Sequence, residues 1–234
     1  MADCFKLHPQ QPQARSIQQI TAALRDGAVM LYPTDTVYAI GCDVTHKHAV
    51  ERVRRIKQLS NDKPLTFLCP SLSRIAHYAQ VSDPAYRLMR RLVPGPFTFL
   101  LPATKLVPKL VMDPKRKTTG IRVPNSAICQ ALLAELGNPI VSTSAKLSGN
   151  PVGSLDLSSG RLGERDTGDE VGMLTAQEEM RLLEKQVDLV LDDDAPYRGK
   201  VSTVIDLTGP EPRVVRAGLG YDQVADLERV EPGR

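Results

Sequence analysis

The chain contains no Gly-x4-Gly-Lys-Ser/Thr stretch, no Rossmann glycine fingerprint and no Gly-x-Ser-x-Gly. A P-loop phosphate cradle, a dinucleotide fold and a nucleophile elbow are disfavoured without those glycines, and conventional kinase and dehydrogenase chemistry with them. No apolar stretch reaches the roughly 18 residues that a membrane span needs. The opening residues, MADCFKLHPQQPQ, lack the basic-then-apolar layout of a signal peptide, so a cytoplasmic protein without membrane contact is expected. Cysteine is sparse. Cys4, Cys42, Cys69 and Cys129 lie far apart with no CxxC pair, and read as reduced, mostly buried residues. His46 and His48 flank Lys47, but no neighbouring Cys or His completes a tetrahedral set, so no metal-ligating residues are expected.

What is present is ordinary in bulk and uneven in charge. The 234 residues are 41% apolar and 24% charged, enough to bury a real core. Between His46 and Arg122 stand 16 lysines and arginines against 4 acidic residues, a local balance of +12 inside a chain of net charge +3. The remainder is therefore acidic. Such asymmetry describes either a solvated basic surface or a face for polyanions, nucleotide phosphates or an RNA backbone.

Periodicity gives an alternating α/β pattern. Helices are expected over Ser16 to Asp26 with Gly27 as stop, His46 to Leu59, Leu72 to Tyr78, Pro84 to Leu92, Ser126 to Leu136 and Thr175 to Leu183. Strands are expected at Ala28 to Leu31, Leu65 to Cys69, Phe97 to Leu101, Thr119 to Val123, Pro139 to Ser142, Val187 to Leu191, Val201 to Leu207 and Arg213 to Val215. The helix from His46 places Val50, Val53 and Ile56 on one face, and Arg52, Arg54, Arg55 and Lys57 on the other. The stretch from Val152 to Gly172, rich in Gly, Ser and Asp, reads as a flexible surface insertion. The acidic tail 222–234 reads as frayed. With no repeat and no linker, the whole chain 1–234 is expected to be a single α/β domain, its core spanning about 16–218 and its helices on both faces of a mixed sheet.

Small hydroxyl residues gather beside three strand ends: Thr34 to Thr36, Ser142 to Ser148, and Ser202-Thr203. The first of these belongs to LYPTDTVYAIGCD, where a strand feeds a turn that opens onto Tyr38, Gly41 and Asp43. Strand ends of this kind hold small ligands in sheet proteins, though they are also ordinary turn formers. Lys57, Lys63, Lys117 and Arg122 can supply the positive field that a triphosphate needs.

Six blocks in order then resemble the YrdC/YciO family. They are YPTDTVYAIG (Tyr32 to Gly41), KPL (Lys63 to Leu65), PGPFTFLL (Pro94 to Leu101), TTGIRVP (Thr118 to Pro124), STSAKLSG (Ser142 to Gly149) and STVIDLTGPEPRVVRAG (Ser202 to Gly218). The resemblance implies a twisted mixed-sheet fold of the YrdC/RibB-like kind around a basic concave cavity. It also implies the reaction of the threonylcarbamoyl-adenylate synthases. Those enzymes join L-threonine, bicarbonate and ATP into threonylcarbamoyl-AMP and pyrophosphate, for later transfer to a tRNA adenosine. ATP is then a substrate, Mg²⁺ on its phosphates is expected, and no tightly bound cofactor is. Carried over by position, Thr34, Ser142 and Ser202 line the threonine pocket and Arg122 pairs with the threonine carboxylate. Lys57, Lys63, Thr118, Ser144 and Arg216 hold the nucleotide, with Lys57, Ser144 and Lys146 at the reacting phosphates.

The chain departs from the synthase pattern at four places. A Lys-x-Arg pair reads Lys57-Gln58-Leu59, a Ser-x-Asn pair reads Ser144-Ala145-Lys146, Leu68 stands for a histidine, and Ala39 for a glycine. A lost guanidinium removes charge-assisted hydrogen bonds of about 1.5–3 kcal/mol each, and a lysine does not restore its planar fork. These changes resemble the YciO branch. Two functions stand: a synthase, and a module for double-stranded RNA or tRNA with weak or no synthase chemistry. In the second, Arg52, Arg54, Arg55, Arg87, Arg90 and Arg91 carry the phosphate-backbone contacts.

Overall fold

The structure, a computed structural model, describes residues 2–60, 63–145, 176–195 and 199–228. In chain order the strands are β1 (Asp3–Lys6), β2 (Met30–Tyr32), β3 (Ala39–Asp43), β4 (Thr66–Leu68), β5 (Phe97–Pro102), β6 (Thr118–Arg122), β7 (Ile140–Ser144), β8 (Leu189–Asp192), β9 (Thr203–Asp206) and β10 (Arg213–Arg216). The helices are α1 (Ala14–Arg25), α2 (Lys47–Ile56), α3 (Leu72–Tyr78), α4 (Asp83–Leu92), α5 (Ala127–Leu136) and α6 (Ala176–Glu184). All ten strands join in one mixed sheet, ordered β1-β8-β2-β3-β7-β4-β6-β5-β9-β10.

Local chemistry sets the helix ends. Ser82 and Ser126 accept from Ala85 N and Cys129 N at the starts of α4 and α5, and His46 Nδ1 accepts from Ala49 N at the start of α2. Gly27 and Gly137 follow α1 and α5 at φ of +93° and +78°, the left-handed stop that glycine adopts without a Cβ penalty.

Alternation along the strands divides the buried residues between two faces. Ile40, Phe67, Phe99, Ile121, Val141 and Ile205 pack with α2, α3 and α4 on one side. Met30, Tyr32, Ala39, Leu68, Ile140 and Leu189 pack with α1 and α5 on the other. Helices therefore lie on both faces, as expected, but α1 and α5 cover only the half of their face built on β1, β8, β2, β3 and the nearest ends of β7 and β4. Farther across, the same face carries Ser142, Ser144, Thr66, Thr118, Arg122, Thr98, Ser202 and Arg216. Among the described residues no helix covers this polar half, the candidate cleft, although Thr98, Thr118, Arg122 and Ser202 within it are buried.

The structure corrects several expectations. The sheet begins before residue 16, because β1 pairs in parallel with β8 (Asp3↔Leu189) and Leu7 is buried. The stretch Ala39–Asp43 is a central strand rather than the end of a turn. Residues 222–228 are not frayed: short 3₁₀ turns at Tyr221–Gln223 and Ala225–Glu228 bracket Val224, which is 2% exposed in the core. Lys146 and the expected insertion 152–172 lie outside the described residues, as does 229–234. Among the described residues, no helix is long and apolar enough to cross a membrane.

Candidate functional site

Register places the hydroxyls before any side chain is considered. Ser142 of β7 and Gly120 of β6 both oppose Thr66 of β4, from either side. Ser144 and Thr118 therefore flank the strand beside Pro64, two strand spacings or roughly 10 Å apart. In the same manner Arg122 pairs with Leu68, and Thr98 and Arg216 both pair with Val204. Four strands, β5, β6, β7 and β10, thus deliver Ser142, Ser144, Thr118, Arg122, Thr98 and Arg216 to one surface.

Arg122 is the anchor of that surface. Its side chain is 7% exposed, and Nη1 donates to Thr36 Oγ1 at 2.8 Å while Nε donates to Gly95 O at 3.4 Å. Nη2 lies 2.6 Å from Asp35 Oδ1. That contact is a charge pair without hydrogen-bond alignment, since Nη2 and both Asp35 oxygens have no hydrogen-bond partner among the described residues. The Pro-Thr-Asp-Thr loop is thereby folded across the sheet onto β6. Thr34 Oγ1 donates to Val37 O at 2.7 Å, receives Thr36 N at 3.1 Å and sits 3.1 Å from Thr36 Oγ1. With the Thr34 proton on Val37, Thr36 is the donor of that pair, so both hydroxyl protons serve the loop.

A second cluster lies at β9 and β10. Arg216 donates from Nη2 to Ser202 O at 2.8 Å and to Ser202 Oγ at 3.1 Å, and from Nε to the same carbonyl at 3.2 Å. Ser202 Oγ also meets Thr98 Oγ1 at 2.9 Å. Burial, and after it repulsion from Arg122, pushes the Arg216 guanidinium down to about 10. It remains a cation at neutral pH. Two guanidiniums that feel each other across a half-shielded face make a field for an anion.

The other expected residues divide. Lys57 is 6% exposed at the C-terminal end of α2, and Thr118 is buried, whereas Lys63 is exposed where the chain enters β4. Leu59, in the place of the synthase arginine, packs partly buried on the core, and Leu68 is buried under α5. The basic face expected of α2 is not one. Arg54 is 5% exposed and donates to the carbonyls of Ser60, Lys63 and Leu110, while Arg52 grips Asp188 through both nitrogens at 2.7 and 3.1 Å. Arg55 is exposed, as are Arg87, Arg90 and Arg91 on α4. Thr34 and Arg90 also line a cavity of about 840 Å³ beside the loop, between α4 and the start of α5.

Three participants were missed in the sequence: Asp35, Tyr32, whose hydroxyl donates to Ser142 Oγ at 2.8 Å, and Thr98. Asp35 had a signal, a carboxylate in the turn that carries the expected threonines. The other two read as ordinary strand residues.

A family model described as "Telomere recombination", and named for Sua5, YciO and YrdC, matches residues 22–156. The chain belongs to the Sua5/YciO/YrdC family. It is 42% identical to the uncharacterised protein YciO of Escherichia coli over 221 residues, 94% of this chain and 97% of that one. The crystal structure of E. coli YciO superposes with a TM-score of 0.77 over the same shares. Identity to the threonylcarbamoyl-AMP synthase of Vibrio vulnificus is 35% over 137 residues, 57% of this chain and 73% of that one. P. abyssi Sua5, solved with L-threonine, superposes with a TM-score of 0.77 over 96% of this chain and 60% of that chain at 24% identity, a likeness of fold.

Proposed function

We propose that this member of the family is a threonylcarbamoyl-adenylate synthase, joining L-threonine, bicarbonate and ATP. The observation that carries the reading is Arg122. A buried guanidinium is held by Thr36 and Gly95 and pairs with the Asp35 carboxylate, on a sheet face bedded with hydroxyls. Such a group suits a carboxylate. The L-threonine in P. abyssi Sua5 and the activity named for the Vibrio relative support the choice of amino acid.

In the proposed reaction the threonine amine adds to bicarbonate with loss of water, giving a carbamate. A carbamate oxygen then attacks the α-phosphorus of ATP, and pyrophosphate leaves with the electron pair of the broken P–O bond. No protein nucleophile is needed. The protein's task is to position the reactants and to balance the charge that builds on the phosphate oxygens. Arg122 takes the threonine carboxylate, with Ser142 and Ser202 beside it. Arg216, Thr118 and Ser144 face the nucleotide, with Lys57, Lys63 and Lys146 supplying further positive charge. Mg²⁺ is the counter-ion that ATP brings on its phosphates.

Pyrophosphate release by the purified protein, with ATP and bicarbonate, is expected to require L-threonine. Release that ignores threonine, or none at all, overturns the reading. The double-stranded RNA or tRNA module remains the second reading, and Arg87, Arg90 and Arg91, exposed in a row on α4, favour it. RNA affinity that falls steeply with salt, in a protein that releases no pyrophosphate, would move the conclusion there.

A further inference from the structure

Tyr32 is fully buried in β2, yet its hydroxyl reaches Ser142 in β7, past the intervening strand β3. The span is open because the residue between them is Gly41, paired with Met30 on one side and Ser142 on the other. A Cβ built at Gly41 would lie 2.8 Å from Tyr32 Cε1, so any side chain there would meet the ring. The ring crosses a strand whose one bare position lies beneath it.

The consequence concerns one proton. A serine hydroxyl holds one hydrogen and two lone pairs. Burial pushes the Tyr32 hydroxyl far above the usual phenol range, so it stays protonated and donates to Ser142 Oγ at 2.8 Å. One lone pair of Ser142 is thereby filled. Among the described residues Ser142 Oγ has no other hydrogen-bond partner, and the residue is half-buried on the uncovered face. Its own hydrogen is left for whatever enters the cleft. Thr36 stands in contrast, receiving Arg122 and donating to Thr34.

We propose that Tyr32 is a positioning residue that fixes Ser142 as a hydrogen-bond donor to the ligand, selecting an acceptor (a carboxylate, carbamate or phosphoryl oxygen) at that point. Tyr32 touches no substrate itself. The identity of the ligand rests on the function proposed above; the donor role does not.

The test is a double-mutant cycle on the full chain with Tyr32→Phe, Ser142→Ala and both together. The readouts are L-threonine affinity by calorimetry, pyrophosphate affinity as an independent acceptor probe, and kcat and KM for pyrophosphate release. Circular dichroism and a cooperative melt check folding. Tyr32→Phe is expected to weaken the ligand at Ser142 about tenfold and to raise KM with kcat within about twofold. In the Ser142→Ala background it should change nothing further. Equal loss in both backgrounds would make Tyr32 a packing residue only, and unchanged affinity for both probes would also overturn the proposal. An intact protein that binds pyrophosphate through this coupled pair but not threonine would remove the synthase reading and leave the positioning role standing. Binding of neither probe overturns both.

Discussion

Arg122 and Asp35 face each other at 2.6 Å inside the cleft, one at 7% and the other at 10% exposure, without an aligned hydrogen bond between them. The attraction between the two charges fixes the loop between β2 and β3 over β6.

Removing one member should therefore cost twice. Arg122→Ala strands a buried carboxylate, which typically destabilises by about 3–5 kcal/mol, and it removes the proposed carboxylate anchor. Urea unfolding should show the first effect and calorimetry with L-threonine the second. Threonine affinity unchanged in the folded variant would detach Arg122 from the substrate.

Arg54 predicts a loss of stability, not of affinity. Its guanidinium serves three carbonyls, those of Ser60, Lys63 and Leu110. Arg54→Ala leaves them without that donor and should destabilise by about 2–4 kcal/mol, given 1–3 kcal/mol for each buried polar group left unsatisfied. RNA affinity per folded molecule should stay the same. Reversing the charge at Arg87, Arg90 and Arg91 together should instead leave the melting temperature nearly unchanged, and would cut RNA binding and its salt slope if α4 is the docking face.

These residues also show how far sequence pattern carries. The helical period located α2 within a few residues, because Val50, Val53 and Ile56 recur at the spacing of one face. It could not show that Arg54 turns inward, since what buries Arg54 is the chain at Ser60, Lys63 and Leu110. Strand β3 was hidden by Gly41, a residue disfavoured in strands, where a Cβ would meet the Val141 carbonyl and the Tyr32 ring. Strand β1 was hidden by polarity: it is mostly exposed, and only its pairing with β8 makes it a strand. The hydroxyls and Arg122 were legible as residue types in strand-end blocks. Their shared face was not, because register between β7, β4 and β6 is a long-range property.

Gly41→Ala tests the bare position directly. The added Cβ would lie 2.3 Å from Val141 O and 2.8 Å from the Tyr32 ring. Overpacking of this kind costs about 1–3 kcal/mol, and the displaced ring should let go of Ser142. Thermal melting should register the cost, and threonine affinity should fall as it does in Tyr32→Phe.

Acid should loosen the tie between α2 and the start of β8. Burial raises the Asp188 carboxyl, but the hydrogen bond from Arg52, that from Val29 N–H and the Arg52 charge outweigh it, and the net shift is downward. A carboxyl held below its unfolded value contributes stability above that value, near pH 4, and loses it as pH falls through the folded one. Asp188→Asn should therefore lower stability at pH 7 and flatten its dependence below about pH 4. Urea midpoints measured from pH 7 to pH 2.5 would check the sign.

The uncovered half of the sheet has a temporal consequence. Its floor comes from strands that begin at Thr66 and end at Arg216, with β5 and β9 adjacent in space though about a hundred residues apart in the chain. Contacts of such high order form late and slowly. A chain still emerging from the ribosome holds Arg122 and Asp35 well before it holds Ser202 and Arg216, so half of the cationic cleft waits for the last strands to dock.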